Sequence, residues 1–208
     1  MNDLSRLLFA AVMGASVTAA ILVVPTIARG AKGAGVPLAT AALLVAWLVA
    51  AVAMASSSTP HLAVAPATAA ALAALWLGVA PLRRAWAGAS MAGVVALQAL
   101  RFFGGARVLA VRGGWLPQPY GMVFGPADAA LGAAALALAW GWSSGAGWAR
   151  RATLAWAVVG LVTTAAGLVV QARLVRPMPG FEELWSAFLT PLLAALLVVA
   201  AYRAATTD

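Results

Sequence analysis

Cysteine is absent from the sequence, and histidine (His61) and lysine (Lys32) occur once each. The first absence excludes disulfides, thiolate metal centres and cysteine nucleophiles. One histidine leaves a single imidazole as the most that one copy contributes to a haem or metal, and His61 reads as a plain loop residue. Lys32 falls in a predicted loop, which excludes a chromophore-bearing lysine. Acids are nearly as scarce: Asp3, Asp128, Glu182, Glu183 and Asp208, the first and last near the chain ends. Glu182 and Glu183 are adjacent, so on a helix they point about 100° apart and do not share a proton. They read as acids opening a helix, where the N-terminal partial charge favours them. Intramembrane aspartyl proteolysis needs two facing aspartates, and only Asp128 is placed at depth. Serine proteolysis lacks a glycine-framed nucleophile. An enzyme is therefore the least supported class; no catalytic residue, metal or cofactor is assigned.

Charge of either sign is also in short supply. Only 9% of the 208 residues are charged and 64% are apolar, with a mean hydropathy of +0.98. A soluble domain has roughly 25% charged residues. The composition is that of an integral membrane protein. The net charge of +8 comes from single and paired basic residues without a run of five, which excludes a nucleic-acid-binding tail and suits loops that set orientation.

About 20 apolar residues cross the ~30 Å hydrocarbon layer as a helix. Seven such stretches are predicted, over residues 7–28, 36–55, 62–82, 86–108, 126–142, 152–170 and 184–202. The fold class is all-α: a polytopic transmembrane bundle forming one domain over residues 1–208, without a soluble domain or long linker. The first stretch is too long for a signal-peptide core. Alternate loops place Arg29, Lys32, Arg83, Arg84, Arg150, Arg151 and Arg203 on one side and Arg6, Arg107, Arg112, Arg173 and Arg176 on the other. Cytoplasmic loops carry the basic excess, so the N-terminus is predicted outside and the C-terminus cytoplasmic, in a plasma or inner membrane. Trp86, Trp115, Trp142, Trp148 and Trp185 fall at predicted span ends and read as interfacial anchors. Trp47, Trp76, Trp140 and Trp156 read as packing residues.

One segment is not generic. Residues 101–128 hold three arginines, six glycines and three prolines. These suit either a re-entrant segment or, more commonly, an ordinary connection between the fourth and fifth spans. Arg101 is the deepest charge in the chain, and an arginine at mid-membrane costs about 2.5–3.5 kcal/mol on insertion scales, so it calls for a partner or a route to water. Asp128, expected in the first turn of the fifth helix behind Pro126, is the one acid within reach. Two readings stand: a buried Arg101–Asp128 pair, or a snorkelling arginine and an exposed helix-start acid. Gln98 lies three residues before Arg101 and shares its helix face. Gln98, Arg101 and Asp128, with Trp115 and Tyr120 from the intervening segment, form the candidate ligand-binding set.

Arg101, then Leu116-Pro117, then Gly125, Asp128 and Gly132 resemble the central signature of a widespread group of small bacterial multipass membrane proteins. In that group an arginine-bearing helix precedes a Leu-Pro turn and a Gly-x-x-Asp-x-x-x-Gly helix start. The resemblance covers about thirty residues, with Ala127 where a glycine is expected before the aspartate. It implies that Arg101 and Asp128 belong to one constellation and implies no activity.

Two function classes follow. The first is a membrane protein that binds or moves a small polar or anionic solute through an outward-facing site around Arg101 and Asp128. The second is a non-enzymatic helper docking on another membrane protein, or on its own copies, through small-residue helix faces.

Overall fold

The computed structural model describes residues 3–31, 33, 35–55, 64–174 and 180–206. Among these there is helix but no strand, in eight helices. In chain order they are α1 (Asp3–Ala28), α2 (Gly35–Ala55), α3 (Val64–Gly78), α4 (Ala80–Gly88), α5 (Met91–Arg112), α6 (Gln118–Ser143), α7 (Ala149–Leu174) and α8 (Gly180–Thr206). Six are long and apolar enough to cross a membrane, and α3 with α4 makes a seventh segment bent by 85°. The chain is a multipass helical membrane protein. Large apolar side chains such as Leu7, Ile21, Leu38, Val49, Val158 and Val162 lie open on the outside of the bundle, as contact with lipid requires. His61 and the polar turn around it, and Arg176, lie outside the described residues.

α8 is the central post. Its spanning window is 83% buried, against 17–50% for the other five long helices, and it touches α1, α2, α3, α5 and α7. Its leucines, Leu192, Leu193, Leu196 and Leu197, are fully enclosed. Beside Pro191, which has no N–H to offer the carbonyl of Ala187, the helix widens into a π turn over Trp185–Leu189.

Several sequence expectations shift. The third span breaks at Val79, whose extended backbone (φ −82°, ψ 113°) and the following Pro81 start α4 at a steep angle. Trp86 therefore belongs to α4, and the fourth span begins at Met91, with Ser90 accepting a hydrogen bond from Gly93 N at 3.1 Å. The glycine-rich segment is neither re-entrant nor a long connection. α5 runs through Arg112, α6 starts at Gln118, and only residues 113–117 turn between them. Pro126 consequently sits inside α6, and Asp128 lies about three turns in, not in the first turn. Arg107, counted above among the loop charges although the predicted fourth span runs to residue 108, is a buried residue of α5. Trp86 and Trp185 are also enclosed rather than interfacial, whereas Trp148 is half exposed.

The two ends of the bundle differ in charge. Gly30 meets Gly88 backbone to backbone, Arg150 donates to the carbonyl of Ala204 at 2.9 Å, and Arg203 donates to those of Ala89 and Ala87 at 2.6 and 3.1 Å. These contacts gather Arg29, Arg83, Arg84, Arg150 and Arg203 at one end, opposite the start of α1.

Candidate functional site

The site begins with how α5 is wound. Residues 97–105 form a 3₁₀ helix, with three residues per turn, so side chains three apart stand in line. Gln98, Arg101 and Gly104 form that line, and Arg107 and Ala110 follow it where α-helical winding resumes at Ala106. All five are buried, while Phe102 and Phe103 face outward. A regular α-helix would rotate each successive member about 60° away.

α6 meets this line with a glycine-bearing face. A Cβ on Gly121 would stand 2.9 Å from the carbonyl oxygen of Arg107, and one on Gly132 would stand 2.6 Å from the backbone nitrogen of Phe102. Backbone approach this close is the use that membrane helices make of small residues. It carries Asp128 into the line from α5.

Asp128 bridges two arginines. Arg101 Nη1 donates to Oδ1 at 2.6 Å, and Arg107 Nη1 donates to Oδ2. Arg101 is held further by Gln98, whose Oε1 accepts from Nε at 2.9 Å, and by Thr164 Oγ1 at 2.9 Å. Gln98 in turn donates to the carbonyl of Leu193 on α8 at 2.7 Å. On the other flank Arg107 Nε lies 3.0 and 3.1 Å from the two oxygens of Glu182, and Tyr120 donates to Oε1 of the same carboxylate at 2.6 Å. The rings of Trp185 and Tyr120 stand 4.8 and 5.5 Å from the Arg107 guanidinium carbon, within cation–π range. Gln171 and Ser186 exchange hydrogen bonds beside the network, at 2.9 and 3.2 Å.

Two cations and two anions thus lie in one chain of contacts across α5, α6 and α8, with α7 supplying Thr164. Their formal charges cancel. All four residues are at most 7% exposed, a setting in which an unpartnered charge is costly and a hydrogen-bonded pair is tolerated. A cavity of about 30 Å³ opens beside them, walled by Arg101, Arg107, Asp128, Thr163, Thr164 and Gln171 among others. It has room for water and no larger solute.

Of the five candidate residues, the structure brings Gln98, Arg101, Asp128 and Tyr120 together. Trp115 is not with them; it folds over the turn at Gly113 and stays half-buried. Arg101 does not snorkel. Sequence reasoning missed Arg107, Glu182 and Thr164 as members. Continuing the three-residue step from Gln98 and Arg101 through Gly104 reaches Arg107; nothing local marks Glu182, which opens α8 as expected but is buried among α5 and α6 partners. No group of three potential metal-ligating residues occurs among the described residues.

No family model, curated protein or solved structure matches the chain.

Proposed function

We propose that the protein binds, and moves across the membrane, a small polar or anionic solute at the Arg101–Asp128–Arg107 junction. The observation that carries this reading is that two buried guanidiniums converge on a single carboxylate at the wall of a small cavity. A single ion pair would suffice to tie α5 to α6. A shared carboxylate is different, because a solute anion can take its place on one guanidinium while the other keeps it.

The charge balance then sets the rest of the mechanism. The resident network is neutral, so an arriving anion adds a charge that low-dielectric surroundings resist. Arg101 then takes the solute while Asp128 stays on Arg107, which keeps every charge at the junction paired. The 30 Å³ cavity is too small for such a solute, so binding requires its walls to move apart. The resemblance to small multipass proteins adds only that Arg101 and Asp128 belong to one constellation. The wild-type basic end points to the cytoplasm and the opposite end to the exterior, on the same positive-inside argument as before.

Thermal stabilisation of the detergent-purified protein by a panel of small anions (acetate, lactate, phosphate, sulfate) tests this reading. A shift that is lost in Arg101→Gln is expected. The absence of any shift, or a shift that Arg101→Gln retains, removes it. The neutrality of the network also favours a second reading, in which it simply locks α5, α6 and α8 in a subunit that docks on another membrane protein. A stoichiometric partner retained through mild detergent extraction, with no solute effect, would support that instead.

A further inference from the structure

A second cavity, of about 360 Å³, lies at the basic end of the bundle, far larger than the one beside Asp128. It is walled by Leu77, Arg83, Arg84, Trp86, Tyr202 and Arg203, and so by the ends of α3 and α8 and by α4 between them. Its form follows from the break at Val79. α4 turns across the end of the bundle and sets two consecutive arginines beside the last turns of α8.

The chemistry of the wall is specific in two respects. Arg83 and Arg84 are exposed and take part in no ion pair among the described residues. Arg83 Nη1 reaches the carbonyl of Leu77 at 3.2 Å, while Arg203 is anchored on the carbonyls of Ala87 and Ala89. Three guanidiniums are thus gathered around one space, two of them fixed by backbone. Second, the indole nitrogen of Trp86 is the one buried side-chain polar atom among the described residues that lacks a hydrogen-bond partner. Two other indoles in the bundle do find acceptors: Trp142 in Thr153 at 2.8 Å, and Trp156 in the carbonyl of Leu131 at 3.1 Å. A buried N–H left without an acceptor is costly, and such groups call for an explanation.

We propose that this cavity is a binding site for a phosphate group, taken from the headgroup of an anionic phospholipid. The guanidinium fork matches phosphate oxygens, and a ring of basic residues at a membrane end faces lipid phosphates at high local concentration. The apolar and aromatic surfaces of Leu77, Trp86 and Tyr202 suit the glycerol and the first methylenes of the chains. The indole nitrogen of Trp86 is shielded from this space, and a small shift of the wall that let an anion reach it would give the N–H an acceptor. Nothing in this proposal depends on the Asp128 junction.

The test uses the full chain in mild detergent, titrated with short-chain phosphatidylglycerol, short-chain phosphatidylcholine and inorganic phosphate, with thermal shift and bound-lipid mass spectrometry as readouts. Phosphatidylglycerol is expected to bind and stabilise, and phosphatidylcholine to do neither. Arg83→Gln with Arg84→Gln should weaken phosphatidylglycerol binding roughly 30-fold. Arg84→Gln alone, which removes no hydrogen bond within the described residues, should weaken it by a smaller factor and covers the case in which the double variant fails to fold. Trp86→Phe keeps the ring, drops the donor and should also weaken binding. Inorganic phosphate competing at similar affinity would assign the site to the free anion; no competition would assign it to the lipid. Equal binding of phosphatidylcholine, or undiminished binding of phosphatidylglycerol by Arg84→Gln and Trp86→Phe, would overturn the proposal.

Discussion

A Cβ built on Gly104 would stand 2.6 Å from the Cβ of Asp128. The missing side chain at Gly104 is the space through which the aspartate reaches between Arg101 and Arg107. Ordinarily Gly→Ala within a helix gains up to about 1 kcal/mol. Here the methyl meets a side chain tethered by two ion pairs, and overpacking of that kind costs about 1–3 kcal/mol. Gly104→Ala should therefore lower the thermal midpoint. Gly105→Ala is the control, since its nearest neighbour would be Ala129 Cβ at 3.6 Å, and it should be neutral or slightly stabilising. Equal behaviour of the two variants would contradict the close approach of α5 and α6.

The bridging position of Asp128 makes its loss worse than the loss of either arginine. Asp128→Asn leaves Arg101 and Arg107 with Glu182 as their single counter-charge, and removing one partner of a buried pair costs roughly 3–5 kcal/mol. Arg101→Gln should cost less, because Asp128 keeps Arg107. The double variant restores neutrality and should be milder than the sum of the two. A double-mutant cycle by thermal or denaturant unfolding measures the coupling, and strict additivity would refute it.

Tyr120 tests the other flank. Its hydroxyl donates to Glu182 at 2.6 Å, and a hydrogen bond to a charged acceptor contributes about 1.5–3 kcal/mol. Tyr120→Phe should lose that amount while leaving Arg107 paired. Glu182→Gln should be more damaging than Tyr120→Phe, because it also removes the counter-charge of Arg107. The reverse order in unfolding measurements would mean that the carboxylate is dispensable.

Sidedness is checked by single cysteines in a chain that has none of its own. Gln118→Cys and Ala172→Cys lie exposed at one end, Ala87→Cys and Ser143→Cys exposed at the other. An impermeant thiol reagent added to intact cells should label the first pair and spare the second. Labelling of the second pair alone would invert the orientation.

The helical membrane bundle was legible because lipid demands long apolar stretches and this chain supplies them in series. The Arg101–Asp128 contact was legible as one of two readings, because a deep charge calls for a partner and few acids are available. The bend at Val79 was not, since residues 62–82 are apolar throughout their length and only Pro81 hints at a new helix start. Nor was the length of α6. Pro126 signals a helix start locally, yet the helix runs through it from Gln118 because α5 and α7 hold the backbone on either side. Glu182 was misjudged for a related reason: its position opening α8 matches a capping acid, and only the three-dimensional approach of Arg107 and Tyr120 shows that it is enclosed.

The central placement of α8 bears on how the protein is made. A ribosome delivers helices in chain order, and the one that fills the middle of this bundle is the last of those described. Until it enters, Arg107 waits without Glu182, Gln98 without the Leu193 carbonyl, and the inward faces of α1, α2, α3, α5 and α7 without a common neighbour. The earlier spans must then wait with those faces uncovered. Interruption of synthesis before residue 180 should leave a species that membrane quality control removes rather than a smaller working protein.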